Sequence, residues 1–359
     1  MKYLDEFPIF STKTPGVTQT FDLSTPEGRA AYFTAKVGKE IAALKKYFQE
    51  HTFVAYLLAK KSAGKGTYTK LMREIFGSVI AHISVGDVVR ATHRIFEDES
   101  EHATRAEVME YLEKHYRGYM PLSDAVNALL GRDTASLLPT EFILALVMRE
   151  IDALPRSALF LDGFPREIDQ VSYALFFRNL VDYRNDPDLF LTIDIPMSVI
   201  DERMKYRVVC PVCQTPRSLK LLTTREVGYD EGTHEFFLLC DEHKVRMVQK
   251  EGDTAGIAPI RGRLEKDQEL IDKMFGLHGI PRILIRNAIP ADKALEYVDQ
   301  YELTPEYQYE WDAGNKKVVT KELPWTVEDD EGVKVYSLLA PAAVVALLKQ
   351  LVAVLKISV

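Results

Sequence analysis

The sequence predicts an α/β protein: a doubly wound, parallel five-stranded sheet whose first strand runs into a phosphate-binding loop (P-loop). Three observations carry that expectation. Short apolar runs near 53–58, 81–83, 158–161, 190–195 and 282–286 alternate with helical stretches near 65–76, 167–180, 197–206 and 261–275. The first run, Phe53 to Leu58, empties into Ala59-Lys60-Lys61-Ser62-Ala63-Gly64-Lys65-Gly66-Thr67, a Gly-Lys turn that opens a helix. Two later runs end in loops that carry both Asp and Arg.

In chain order, residues 1–50 precede the sheet and hold a helix from Glu27 to Gln49, started by Ser24-Thr25-Pro26. The Gly-Lys turn comes next. Successive backbone N–H groups at a helix N-terminus can cradle an anion, which makes a nucleotide phosphate the first ligand to consider. The match to G-x-x-x-x-G-K-[ST] is imperfect, with Ala59 at the first glycine and Gly66 at the hydroxyl position. Taken alone, the segment fits an ordinary strand-turn-helix with a solvated lysine equally well.

After Ala81-His82-Ile83 comes Ser84-Val85-Gly86-Asp87-Val88-Val89-Arg90, and after Ala158 to Leu161 comes Asp162-Gly163-Phe164-Pro165-Arg166, with Gln170 four residues on. The carboxyl ends of parallel strands face one crevice, so Lys65, Asp87, Arg90, Asp162 and Arg166 are expected to converge there. A transferring phosphoryl group spreads negative charge over its oxygens and needs positioned cations with Mg²⁺. The aspartates suit the metal, and the arginines can grip an acceptor phosphate through forked contacts. The Gln170 amide donates and accepts at once and can pair with an adenine edge, although a surface glutamine looks the same in sequence.

Gly64-Lys65-Gly66-Thr67, Ser84-Val85-Gly86-Asp87 with Arg90, and Asp162-Gly163-Phe164-Pro165-Arg166 with Gln170 together resemble the adenylate kinase family. Leu138-Pro139-Thr140-Glu141-Phe142-Ile143 resembles the segment that closes the family's monophosphate-binding region, and Ile200-Asp201-Glu202-Arg203 with Arg207 resembles the helix entering its lid. The resemblance implies a core at 51–298, with a helical monophosphate-binding insertion at about 88–140 and a small β-rich lid at about 207–260. It implies reversible Mg²⁺-dependent transfer from ATP to AMP.

By that resemblance Ala63, Gly64, Lys65, Gly66 and Thr67 bind the donor phosphates and Arg203 lies over the donor adenine. Arg207 and Arg263 join Lys65, Asp87 and Asp162 as catalytic residues, while Arg90, Gly163, Arg166 and Gln170 bind the acceptor. On their own, Arg203 and Arg207 read as a solvated helix face. A CMP or UMP kinase of the same fold, or a catalytically weak nucleotide-binding regulator, is the alternative.

All three cysteines fall in the lid, as Cys210-Pro211-Val212-Cys213 and Cys240-Asp241-Glu242-His243. Two such pairs supply four ligands for a structural, tetrahedral Zn²⁺, with His243 the fourth; free cysteines in a lid held by packing are the other reading. Between them, 217–227 and 234–239 flank the turn Gly228 to Gly232 as a ribbon.

Beyond Asp299, the alternation Tyr307, Tyr309, Trp311, then Asp312-Ala313-Gly314-Asn315 and Val318-Val319-Thr320, predicts a hairpin in a C-terminal extension at 299–359. The stretch Leu338 to Leu348, interrupted by Pro341, is too short for a membrane span and reads as a buried helix. Both extensions serve as packing surface, or as a partner or oligomer interface, in what is otherwise expected to be a monomer.

A chain of 359 residues with 47% hydrophobic content can bury a substantial core, and a net charge of −8 without a Lys/Arg block argues against a nucleic-acid scaffold. The N-terminus lacks a basic start followed by an apolar run, so a cytoplasmic location is expected.

Several positions depart from the family pattern. Ala59 and Ser62 stand where glycines are usual, Val85 replaces a hydroxyl, and Lys250-Glu251-Gly252-Asp253-Thr254 has Lys250 near an Arg position and Gly252 at an Asp. Lys60 and Lys61 are expected to offset the altered loop by attracting phosphates. Arg261 and Arg263 remain in place.

Overall fold

The computed structural model describes residues 8–131, 138–167, 170–181, 183, 185–250 and 252–359. Residues 1–7 at the N-terminus, residues 132–137 of the insertion expected at 88–140, residues 168–169 of the expected 167–180 helix and Glu251 of the lid run are among those that lie outside them.

Helix α1 (Pro26–Tyr47) begins where the Thr25 side chain accepts the Gly28 N–H at 3.0 Å, with proline at the first helical position. Then follow β1 (Val54–Ala59), α2 (Lys65–Phe76), β2 (Ile80–Ser84), α3 (Val85–Glu97), α4 (His102–His115), α5 (Leu122–Leu130), α6 (Thr140–Asp152), β3 (Ala158–Asp162), α7 (Gln170–Leu180), β4 (Asp188–Asp194) and α8 (Met197–Lys205). Short lid strands come next: β5 (Arg207–Val209), β6 (Pro216–Ser218), β7 (Val227–Asp230), β8 (Glu235–Leu238) and β9 (Val248–Gln249). The chain ends with α9 (Arg261–Phe275), β10 (Arg282–Arg286), β11 (Ala288–Pro290), α10 (Ala294–Tyr297), β12 (Pro305–Asp312), β13 (Lys317–Pro324), β14 (Val327–Glu328), β15 (Lys334–Ser337) and α11 (Ala340–Val354).

The five-stranded sheet has the order β10-β4-β1-β3-β2 and every neighbouring pair is parallel. Both faces are covered, which is why its strands read as unbroken apolar runs. Ala55 and Leu57 face one layer with α1, α2 and α11, whereas Val54, Tyr56 and Leu58 face the other with α3, α6, α7 and α9. Register fixes the functional edge: Asp162 at the end of β3 stands opposite Leu57 of β1 and Ser84 of β2. The loops after all three strands therefore leave the sheet at one level.

The expected boundary at 299 does not coincide with a packing boundary. Helix α11 belongs to the first layer, and its Gln350 side chain accepts the Leu284 N–H at 3.0 Å and donates to the Leu284 carbonyl at 2.7 Å. That pairing serves β10, which would otherwise present an open sheet edge. The segment outside the sheet is 287–339: a small β11-β15-β14 sheet, and the β12–β13 hairpin, which the sequence suggested and whose register pairs Tyr309 with Thr320 and Trp311 with Val318. Among the described residues, no helix is long and apolar enough to cross a membrane.

Candidate functional site

Lys65 opens α2, and its side chain folds back under the loop. Its Nζ donates to the Ala59 carbonyl at 3.0 Å, lies 3.4 Å from the Lys60 carbonyl, and stands 3.6 Å from Asp162 Oδ1. Gly64, at φ +90°, caps the helix in the left-handed region. Ser62 adopts φ +66°, which costs an L-residue roughly 1–2 kcal/mol, whereas Ala59 simply ends β1. The strain of the missing glycines thus falls on Ser62 alone. Ala63 is buried, and Gly66 and Thr67 lie exposed on the first turn of α2.

One of the two extra lysines does not behave as expected. Lys60 is only 3% exposed and its Nζ pairs with Asp330 at 3.0 Å, so it does not face the cleft. Lys61 does: burial, then the neighbouring charges of Arg263, Lys250 and Arg207, hold its amine below the usual lysine range. Beyond burial, the repulsion that Arg263, Lys250 and Arg207 add is one an anion would relieve.

Lys65, Asp162, Gly163, Arg166 and Arg263 line one small cavity of about 50 Å³ with Asp267 of α9. Asp267 also accepts the Lys61 N–H at 2.8 Å, tying α9 to the loop. Asp87 lies on the first turn of α3, where Ser84 accepts its N–H at 3.3 Å, and its carboxylate pairs with Arg90. Burial pushes the Asp87 carboxyl up, but hydrogen bonds from Ser84 and Arg90 outweigh it and bring it below the usual value. Arg90 and Arg166 are exposed.

Near Asp162 lies His82, whose Nε2 is 4.0 Å from Asp162 Oδ2 and has no hydrogen-bond partner among the described residues. Burial holds its imidazole below the ordinary histidine pKa. A buried ring nitrogen without a partner beside the Asp162 carboxylate, with the Asp87 charge also acting on it, is a polar setting that fits a hydrated Mg²⁺, whose preferred partners are oxygens and waters.

Gln170, at the start of α7, is 5% exposed and already engaged at both ends of its amide. Its Oε1 accepts the Arg166 N–H at 2.8 Å and its Nε2 donates to Thr140 Oγ1 at 3.2 Å. It lines a second cavity of about 390 Å³ with Met120, Leu138, Thr140, Glu141 and Tyr173. One amide hydrogen and one acceptor lone pair remain for a ligand. Val85 is buried and packs 3.6 Å from the position a Cβ on Gly163 would take.

Arg203 is tethered rather than free: its guanidinium donates to Asn287 Oδ1 and Ser337 Oγ, each at 3.1 Å. Arg207 grips buried Asp253 through two bonds, one of 2.8 Å. Gly256 closes the lid's return, because a Cβ there would stand 2.1 Å from Asp201 Oδ1. These partners were missed from sequence. For Asp267 a signal existed, since it lies four residues after Arg263 on one helix face; for Asn287 and Ser337 none did.

The four expected metal ligands come together, their ligand atoms all within 4.8 Å of one another. Each pair forms the same turn. Gln214 N–H reaches the Cys210 carbonyl at 3.0 Å and Lys244 N–H the Cys240 carbonyl at 2.9 Å, with Gln214 and Lys244 both left-handed at φ 56° and 54°. In a tetrahedron with Zn–S near 2.3 Å the sulfurs stand about 3.8 Å apart. Cys213 and Cys240 sulfurs are 3.8 Å apart, and His243 Nδ1 lies 3.7 Å from Cys240 and 4.0 Å from Cys210. The donor set and spacing fit zinc, with no position left open for chemistry.

A parallel sheet of this order, a lysine-bearing loop at its crevice and cations gathered around two carboxylates define a P-loop phosphotransferase. No protein-family model matches the chain. Curated relatives do: it is 31% identical over 224 residues to the adenylate kinase of Thermotoga petrophila, covering 61% of this chain and 84% of that protein. Against the adenylate kinase of Clostridium novyi it is 29% identical over 253 residues, 66% and 98% of the two chains. The chain belongs to the adenylate kinase family. It is a nucleotide-binding kinase of the class that phosphorylates nucleoside monophosphates.

Proposed function

We propose that the protein transfers the terminal phosphoryl group of ATP to AMP, reversibly, giving ADP from both. An oxygen of the acceptor phosphate forms the new P–O bond as the bond to the donor's β–γ bridging oxygen breaks. The acceptor oxygen is already anionic, so the step needs charge stabilisation rather than a base. The single observation that supports this reading is the cavity shared by Lys65, Asp162, Gly163, Arg166 and Arg263 at the carboxyl edge of the sheet.

In this reading Ala63, Gly64, Gly66 and Thr67 present the loop's backbone to the donor phosphates, and Lys65 bridges them. Arg207 and Arg263, with Lys61, offset the charge that develops in transfer. Asp87 and Asp162 would hold Mg²⁺ through its waters, the ion drawing negative charge from the phosphates. Arg90 and Arg166 hold the acceptor phosphate, Gly163 leaves room beside them, and Gln170 reads the acceptor base from the floor of the larger cavity. Arg203 borders the donor base. Cys210, Cys213, Cys240 and His243 bind a zinc that holds the lid together.

ADP formation from ATP, measured with AMP, CMP, UMP and GMP in turn, tests the assignment. AMP should be the best acceptor. Faster turnover of CMP or UMP would transfer the assignment to a pyrimidine kinase, and nucleotide binding without turnover would make the protein a regulator.

A further inference from the structure

We infer that Asp330, in the turn between β14 and β15, is a positioning residue for the phosphate loop, acting through its ion pair with Lys60. The inference rests on the donor-site reading above. It starts from a loop that is short of glycine: Ser62 is held left-handed at φ +66°, and a strained conformation persists only where surrounding contacts over-determine it. Two contacts from outside the loop meet it next to Ser62. One is Asp267 on the Lys61 N–H at 2.8 Å, and the other is Asp330 on Lys60.

Lys60 links that outer contact to the site. Its Nζ, on a side chain only 4% exposed, donates to Asp330 Oδ2 at 3.0 Å and lies 3.4 Å from the Ile195 carbonyl. Its own carbonyl accepts the Ala63 N–H at 3.2 Å and lies 3.4 Å from Lys65 Nζ. Tethering the Lys60 side chain therefore fixes the peptide that aims the Lys65 amine. The nearby Asp194 is a poor substitute partner, since burial pushes its carboxyl up and favours the neutral form.

Asp330 is itself held in place. Asp329 Oδ1 accepts the N–H groups of Glu331 at 3.0 Å and Val333 at 2.8 Å, which shapes the turn. Asp330 Oδ1 takes the N–H of Met197 at 2.8 Å, at the start of α8, and Ser198 donates to the Glu328 carbonyl at 2.5 Å. One carboxylate so joins the phosphate loop to the helix that carries Arg203. The segment 287–339 thereby supplies from outside the loop a rigidity that its own sequence lacks.

The test compares wild type with Asp330→Asn, Lys60→Met and the double variant, in the intact chain. ATP affinity by calorimetry, KM for ATP and for AMP, kcat and melting temperature are measured. Asp330→Asn should weaken ATP about tenfold with the AMP KM within about twofold, Lys60→Met should do likewise, and the double variant should be no worse than the weaker single one. Asp330→Glu should recover part of the loss. Hydrogen exchange of the 61–64 amides should quicken in Asp330→Asn while the sheet strands keep their protection.

Unchanged ATP affinity in Asp330→Asn, or ATP and AMP KM rising together as the melting temperature falls, overturns the positioning role. If Asp330→Asn fails to fold, Lys60→Met decides by the same criteria. Wild-type protein that binds no ATP overturns the donor-site reading itself.

Discussion

The two sides of the cleft are held in different ways. On the side proposed for the acceptor, Gln170 lines an open cavity of about 390 Å³, Arg90 is exposed, and Asp87 and Arg90 pair with each other on one helix. On the side proposed for the donor the cavity at Lys65 is of about 50 Å³, and distant segments hold the neighbouring groups: Asp330 on Lys60, Asn287 and Ser337 on Arg203, Asp253 on Arg207. The lid continues that pattern. The β12–β13 hairpin lies on it, with Trp311 stacked on Tyr229 at 4.9 Å and Tyr309 donating to the Leu219 carbonyl at 2.7 Å. Of the departures from the family pattern, Ala59, Ser62, Lys250 and Gly252 fall on the side proposed for the donor, which has this long-range support, and Val85 falls on the other. If tertiary contact offsets weak local specification, loosening those contacts should be felt most on that side.

Removing the zinc proposed for the lid should have the largest effect on that contrast. Structural zinc contributes on the order of 10–16 kcal/mol of apparent binding free energy in small domains. Chelation should unfold the lid while the sheet persists and the acceptor cavity is kept, read by hydrogen exchange across β5–β9 against β1–β4. Metal analysis of protein purified without chelators should give one zinc per chain. A metal-free protein with a protected lid would mean that packing and the hairpin suffice.

Next in size is Lys65→Ala, which removes a cation the spreading transition-state charge needs. Phosphoryl transfer should fall by about 10²–10³ with the melting curve retained, by analogy with loss of one preorganised donor. Wild-type turnover in this variant would displace the chemistry from the Lys65–Asp162 edge.

On the acceptor side, Gln170→Ala should flatten the preference for AMP by about 1–3 kcal/mol, the penalty for leaving a buried partner unsatisfied, whereas Val85→Thr should sharpen it by no more than about 0.5–1.5 kcal/mol. Relative kcat/KM over the monophosphates measures both. The reverse ranking would place base recognition at the start of α3. Smallest is Trp311→Ala, where loss of the Tyr229 stack removes about 0.5–1.5 kcal/mol beyond its area burial. Exchange should quicken at β7 and β8 and stay unchanged at α5 and α6. Uniform destabilisation would show that the hairpin supports the whole molecule rather than the lid.

Most of the site was legible because its chemistry is local. A lysine after glycine at a helix start, Asp-Gly-Phe-Pro-Arg at a strand end and two Cys-x-x pairs each place their groups within one turn of chain, and their partners in the sheet follow from strand register. Gln170 was legible as a candidate but not in its engagement, since Thr140 lies on a helix 30 residues earlier. Lys60 was misread for a related reason. A lysine in a phosphate loop is expected to meet phosphate unless another carboxylate is nearer, and nothing near residue 60 announced Asp330.

The sequence alone determined the alternation of strands and helices, the identity of the loop residues, the paired metal ligands and the hairpin, since periodicity, turn chemistry and ligand spacing act over a few residues. Only the tertiary structure decided which charges face the cleft. The Lys60–Asp330 bond spans 270 positions and the Arg203–Ser337 bond 134. Across such separations no local pattern encodes who meets whom. Burial decides it: a lysine carried into the interior by a sheet and its covering helices must find a carboxylate there, and the fold brings that carboxylate from the other end of the chain.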